Sequence, residues 1–354
     1  MEHLWKQNLR QIEPYVPGEQ SSDPDRIKLN ANENPYPPAP GVEAVLRSYD
    51  PAALCLYPDA NARLLKASIA RHYGVAPEQV FVGNGSDDVL ALAFQSFFNS
   101  DKPIAFPDIT YSFYPVWCRL FHIPFVTYPL TADFRIDPAD YAAPNGGVVL
   151  PNPNAPTSIG EDLPFVQALL EGNRDAVVII DEAYADFGGV SAVPLLADYP
   201  NLLVCGTFSK SRSLAGLRLG FAIGSPELIG VLEAVKNSYN SYTVDNLSLL
   251  CGAAAMDDET YFAKTTAAVI TTRERVRRAL EQMGFSVLPS RTNFLFATKD
   301  GAFMRELFLY LKQRHIYIRY FDLPRIDNYV RITIGTDAQM DAFLQGTEAF
   351  LRGE

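Results

Sequence analysis

The chain has 354 residues, 48% hydrophobic and 20% charged, with a formal net charge of −11 at pH 7; that length exceeds most single cores, so two domains are expected. No run approaches the roughly 18 apolar residues that cross a bilayer, the opening MEHLWKQNLRQIEPYVPG has no apolar core of a secretory signal, and the acidic excess repels nucleic acid and anionic membranes, so a cytoplasmic protein acting on small molecules is expected. Cys55, Cys118, Cys205 and Cys251 show no CxxC spacing and the four histidines are dispersed without HExxH, which argues against a disulfide frame or a metal site.

In chain order, the stretch through about residue 50 is rich in Pro, Asn and Asp, and KLNANENPYPPAPG reads as extended chain with turns, because proline lacks a donor and biases its predecessor away from helix. QVFVGNGS then reads as strand and turn, DDVLALAFQSFF as helix, PIAFPD as strand, GGVVLPNPN as strand into loop and LPFVQALLEG as helix. AVVIIDEAY, NLLVCGTFSK and LRLGFAIG read as three more strands, followed by the helix PELIGVLEAVKNSY. Strands apolar on both faces and separated by helices predict an α/β large domain, a mostly parallel sheet covered on both sides. From residue 258 the order changes: a long helix to residue 285, strands in FSVLPSRTNFLFAT, a helix over 301–315, strands IYIRY and NYVRITIG, and a final helix over 337–352. The expected domains are an arm over 1–50 that joins the small domain, a large domain over 51–257, and a small α+β domain over 258–354.

Four stretches carry candidate chemistry. VFVGNGSDDVL sets Gly83, Gly85, Ser86 and Asp87 between strand and helix, a phosphate cradle or an ordinary capped glycine turn. The dinucleotide pattern GxGxxG fails, because Asp88 stands where its last glycine belongs. AVVIIDEAY ends on Asp181, Glu182 and Tyr184, at the strand end where open α/β sheets bind ligands. A magnesium carboxylate would need GxxxxGK[ST], which is absent; the other use is a buried acid that keeps a cofactor ring nitrogen protonated. Lys210 follows the strand NLLVCGTF among Ser209, Ser211 and Arg218, where neighbouring cations and desolvation favour the neutral amine that condenses with an aldehyde. Phosphate cradle, ring acid and amine are together the requirements of pyridoxal phosphate. Arg319 in YIRY and Arg331 in YVRITIG sit on alternating strands, each either a solvated cation or a bidentate grip for carboxylate or phosphate.

The ordered set NENPYP, YPD, GNGSDD, PDITYSFY, NPNAPT, DEAY, SKSRSLAGLRLG and YVRITIGT, from Leu29 to Thr336, resembles the fold-type I aminotransferases and, within them, the histidinol-phosphate aminotransferases. The resemblance implies that Lys210 bonds the cofactor's aldehyde carbon, Asp181 pairs with the ring nitrogen, Tyr184 hydrogen-bonds the ring hydroxyl and Tyr111 stacks on the ring. It implies that Gly85, Ser86, Thr207, Ser209 and Arg218 hold the phosphate, with Asp87 a further cofactor-binding residue. Tyr57 would reach the neighbouring subunit's site, in a homodimer, and Arg331, assisted by Arg319, would bind the substrate's anionic group. Tyr15, Asn32 and Asn34 belong to an arm closing over the site, with Asn34 a candidate substrate contact. Two positions depart from the family: Ala155 replaces the asparagine that binds the ring hydroxyl, so Asn154 or Asn152 would take over, and Ser158 replaces a glycine.

The expected reaction is amino transfer from L-histidinol phosphate to 2-oxoglutarate, giving imidazole acetol phosphate and glutamate, in histidine biosynthesis. The alternatives are an aromatic amino-acid aminotransferase, a threonine-phosphate decarboxylase-like enzyme, and a cofactor-binding regulatory module, the last disfavoured by the acidic charge and the lack of a DNA-binding extension.

Overall fold

A computed structural model of the chain describes residues 3–16, 18–19, 22–301 and 303–354. Met1, Glu2, Pro17, Gln20 and Ser21 of the expected arm, and Ala302 of the expected 301–315 helix, lie outside the described residues.

The strands number β1 (Ile27–Lys28), β2 (Val80–Gly83), β3 (Ile104–Pro107), β4 (Phe125–Tyr128), β5 (Gly147–Pro151), β6 (Val178–Asp181) and β7 (Leu202–Thr207). They continue with β8 (Gly220–Gly224), β9 (Ser286–Val287), β10 (Phe294–Thr298), β11 (Ile316–Tyr317), β12 (Arg319–Tyr320) and β13 (Val330–Thr333). Seven of them form one sheet in the order β2-β8-β7-β6-β5-β3-β4. The pairs from β7 through β4 are parallel, whereas β8 runs antiparallel to both β7 and β2. The α/β reading of a mostly parallel sheet is therefore correct, with one reversed strand that apolar content alone does not reveal.

Alternation explains the double burial. Val178 and Ile180 join one apolar cluster while Ile179 joins the other, and Val148 and Leu150 face away from Val149 in the same manner. Neither face of the sheet meets water, which forces the ligand to the strand ends.

A second, four-stranded antiparallel sheet has the order β12-β13-β10-β9. Val330 and Ile332 of β13 point into its core with Leu280, Leu295 and Phe343, so Arg331 projects from the opposite face. The arm joins this unit: β1 pairs in parallel with β11, and Leu29 lies in the same core. The predicted strand IYIRY is divided, β11 pairing with the arm and β12 with β13. The proline-rich stretch also holds a helix, Pro40–Ser48, whose proline sits at the helix start where a missing N–H is harmless.

Candidate functional site

A cavity of about 400 Å³ opens at the carboxyl ends of β5, β6 and β7, roofed by the arm and by β12 and β13. Asp181 is the last residue of β6 and only 5% exposed. Its Oδ2 accepts from the Tyr114 hydroxyl at 3.0 Å and its Oδ1 from the Ala183 N–H at 3.1 Å. Burial pushes its carboxyl up to about 6, against the pull of the Tyr114 and Ala183 bonds. A carboxyl poised so would ionise fully beside a cationic N–H. Tyr114, fully buried among Phe94, Phe106 and Trp117, is a functional side chain that sequence reasoning missed. The signal was its position three residues after Tyr111, on one face of a helix start.

Lys210 lines the cavity from the loop after β7, its Nζ 5.6 Å from the Tyr184 ring centroid and 3.4 Å from the Ala31 carbonyl it donates to. Its loop is clamped by Asn34, whose Nδ2 donates to the carbonyls of Lys210 and Ser211 at 3.0 and 3.3 Å. That engagement corrects the expectation of Asn34 as a substrate contact: its amide faces backbone, not the cavity.

The turn after β2 gives a place for a phosphate. The helix Ser86–Phe97 begins after Gly85, at φ +89, with no side chain capping it, so its first N–H groups remain open toward an anion. Ser86, Asp87, Thr207, Ser209 and Arg218 line the same end of the cavity. Arg218 donates from Nη2 to Asp87 Oδ2 at 3.0 Å, and a side chain at Gly85 would collide with this guanidinium, its Cβ 2.7 Å from Nη2. Tyr111 lines the cavity, and its hydroxyl donates to Asp87 Oδ1 at 2.7 Å. An open helix end, hydroxyls and a cation suit a phosphate; a buried acid and a lysine within one cavity suit a pyridine ring bearing an aldehyde.

At the opposite end, Arg319 and Arg331 face each other in register across β12 and β13. Arg331 donates from Nη2 to the Asn30 carbonyl at 2.9 Å, while its buried Nε has no partner. Among the described residues no carboxylate pairs with either arginine, and burial lowers the Arg331 pKa. Two guanidiniums over Phe321, 5.4 and 5.5 Å from its centroid and without a carboxylate partner among the described residues, suit an anionic group.

Two expected contacts lie elsewhere. Asn154 is buried with both ends engaged, Nδ2 donating to the Ile109 carbonyl and Thr157 Oγ1 and Oδ1 accepting from Thr110 Oγ1; it lines a small separate void, and Ala155 stands at the main cavity instead. This corrects the assignment of Asn154 as the substitute ring contact, and Asn152 is engaged likewise with Glu161. Tyr57 lies outside this chain's cavity, 80% exposed and stacked on Tyr242 at 4.5 Å.

The family model for aminotransferase class I and II matches residues 24–346. The chain is 51% identical over 352 residues to the histidinol-phosphate aminotransferase of Chromohalobacter salexigens, covering 99% of this chain and 100% of that protein. It is 52% identical over 357 residues to histidinol-phosphate aminotransferase 1 of Methylococcus capsulatus, covering 100% and 99%. Its fold matches the crystal structure of histidinol-phosphate aminotransferase from Sinorhizobium meliloti in complex with pyridoxal-5'-phosphate, with a TM-score of 0.82 and 26% identity over 92% of this chain and 90% of that one. With a lysine, an acid and an open helix end around one cavity, and with likeness over nearly its whole length, the chain belongs to the class I and II aminotransferases.

Proposed function

We propose that the protein is a pyridoxal-phosphate-dependent aminotransferase that moves the amino group of L-histidinol phosphate to 2-oxoglutarate, yielding imidazole acetol phosphate and glutamate in histidine biosynthesis. The observation that carries the reading is one cavity lined by Lys210, Asp181 and the unpaired arginines Arg319 and Arg331. Bound there, pyridoxal phosphate supplies an aldehyde for the substrate amine and a ring that withdraws electrons from its α-carbon. Ser86, Thr207, Ser209, Arg218 and the open N–H groups after Gly85 hold the phosphate, with Asp87 orienting Arg218 and Tyr111. Asp181 holds negative charge toward the ring nitrogen, Tyr184 donates to the ring oxygen, and Tyr111 covers the ring. Lys210 Nζ would be the group that takes up the proton of the substrate α-carbon and holds it for return during the transfer.

Arg331 and Arg319 bind the anionic group that each substrate carries, the phosphate of one and a carboxylate of the other. Tyr15 and the arm cover the cavity mouth. The same reading divides the chain into an arm to about residue 50, a cofactor domain over 51–257 and a small domain over 258–354. It pairs two copies in the cytoplasm, with Tyr57 of each reaching the other's site; the exposed Leu54, Leu56 and Tyr57 support that contact.

Steady-state rates on histidinol phosphate and on phenylalanine, each with 2-oxoglutarate, test the substrate. Phenylalanine offers the two arginines one carboxylate charge where histidinol phosphate offers a phosphate of about two, so kcat/KM for histidinol phosphate should exceed that for phenylalanine by about tenfold or more. Preference for phenylalanine would replace the assignment with an aromatic aminotransferase, and carbon dioxide release from threonine phosphate with a decarboxylase.

A further inference from the structure

We propose that Asn32, on the N-terminal arm, is the positioning residue that turns Tyr184 into a hydrogen-bond donor toward the cofactor's ring oxygen; this rests on the pyridoxal-phosphate reading of the cavity. Asn32 is 1% exposed and sits at φ 55, in the left-handed region that asparagine tolerates better than most side chains. Its backbone is fixed at both polar groups: the N–H donates to Thr333 Oγ1 at 3.0 Å, and the carbonyl accepts from Asn293 Nδ2 at 2.9 Å. Because the Thr333 hydroxyl accepts from that N–H, its own proton goes to Asn32 Oδ1, at 3.0 Å. The Thr333 bond thereby decides which end of the Asn32 amide faces outward. The Nδ2 end meets the Tyr184 oxygen at 2.9 Å and donates to it.

A phenol oxygen that accepts from an amide directs its own proton elsewhere, and a donor that is itself accepting is polarised into a stronger one. Tyr184 lines the cavity, so its proton is available there. The neighbouring wall gives no alternative, since Ala155 and Pro156 have no side-chain donor and Asn154 is engaged with Ile109 and Thr157. Thr333 lies two residues beyond Arg331 on β13, on the same strand face, so one strand fixes both the anion grip and the orientation of Tyr184. The titratable groups facing Tyr184 are Lys210 at 5.6 Å from its ring centroid, Arg331 and Tyr111, with Asp181 along the same cavity.

The test is a pH titration of the visible absorption band of the purified holoenzyme. A donor on the ring oxygen stabilises its negative charge and loosens the proton shared with the Lys210 nitrogen, so weakening the donor raises the midpoint. Asn32→Gly keeps the left-handed backbone and removes the amide; its midpoint should rise by roughly half to one pH unit, the scale of one hydrogen bond. Tyr184→Phe should raise it further, and the double variant should match Tyr184→Phe alone, since Asn32 acts through the hydroxyl. Thr333→Val, which releases the amide orientation while keeping Asn32, should shift the midpoint in the same direction and carries the test if Asn32→Gly does not fold. An unchanged midpoint in Asn32→Gly, or in Thr333→Val where that stands in, overturns the proposal, as do shifts that add in the double variant. A parent protein that takes up no pyridoxal phosphate overturns the cofactor reading itself.

Discussion

Two adjacent carboxyls at the end of β6 have different surroundings and different consequences. Asp181 faces the cavity and is held by Tyr114 and Ala183, whereas Glu182 lies behind it, 8% exposed, its Oε1 accepting from the Ala192 N–H at 2.6 Å. Burial pushes Glu182 up to about 8, opposed by the Ala192 bond. A carboxyl raised in the folded state retains a proton that the unfolded chain releases. Its ionisation therefore costs stability as pH climbs from the ordinary carboxylate value through about 8, and the cost is complete above that. Glu182→Gln keeps the acceptor for Ala192 and removes the charge. Relative to the parent it should change stability little at pH 5 and gain on the order of a few kcal/mol at pH 9, read as denaturation midpoints at the two pH values. Equal midpoints at both would show that Glu182 is not the buried acid described. The ionisable cluster was readable as DEAY and the family resemblance singled out Asp181 in it; the burial of Glu182 behind the cavity was not readable, because that depends on the strand's last pleat. Asn34 and Asn154 misled for a related reason: sequence shows an amide near the site but not the backbone carbonyls that occupy it.

Among the elements, the close approach of β8 to the turn after β2 shapes the end of the cavity proposed to hold the phosphate. A Cβ on Gly220 would lie 2.3 Å from the carbonyl carbon of Gly85 and from the nitrogen of Ser86. Gly220→Ala should therefore displace the turn, at a cost of about 1–3 kcal/mol for overpacking, and weaken pyridoxal phosphate binding roughly tenfold or more, measured by equilibrium dialysis. Gly230→Ala, in the helix Pro226–Tyr239 with open space around its Cβ, is the control and should bind the cofactor as the parent does. Parental affinity in Gly220→Ala would contradict the placement of the phosphate at this turn. The strands of the large sheet were legible because double burial leaves continuous apolar runs. The reversal of β8 was not, since an apolar run carries no direction, and the pairing of β1 with β11 joins segments almost 300 residues apart in the chain.

At the scale of the molecule, a chain with net charge −11 sets Lys28, Lys210, Arg218, Arg319 and Arg331 around one cavity with Glu19, Glu33, Asp87 and Asp181, of which Glu33 pairs with Lys28 and Asp87 with Arg218. The cations of the large sheet and those of β12 and β13 meet there because the two sheets pack together, Ile109, Leu130, Phe134 and Ile159 forming one apolar cluster with Phe296 and Ile326 and Arg325 pairing with Asp108. Positive field is concentrated at the Arg319 and Arg331 end, where no carboxylate pairs with either arginine among the described residues, and that end favours small anions while the outer surface repels polyanions. The resemblance in the sequence identified the cofactor, the reaction class and the two arginines; the positions of Tyr114 and Asn32, and the register that sets Arg319 beside Arg331, required the fold. The proposed reaction turns on the Lys210 amine as the group that bonds the cofactor's aldehyde carbon. Reduction of the holoenzyme with borohydride, followed by proteolysis and mass analysis of the peptides, measures that bond directly. The account predicts one pyridoxyl-phosphate addition per chain, on the peptide carrying Lys210 at that side chain; addition at a different lysine, or none, would contradict it.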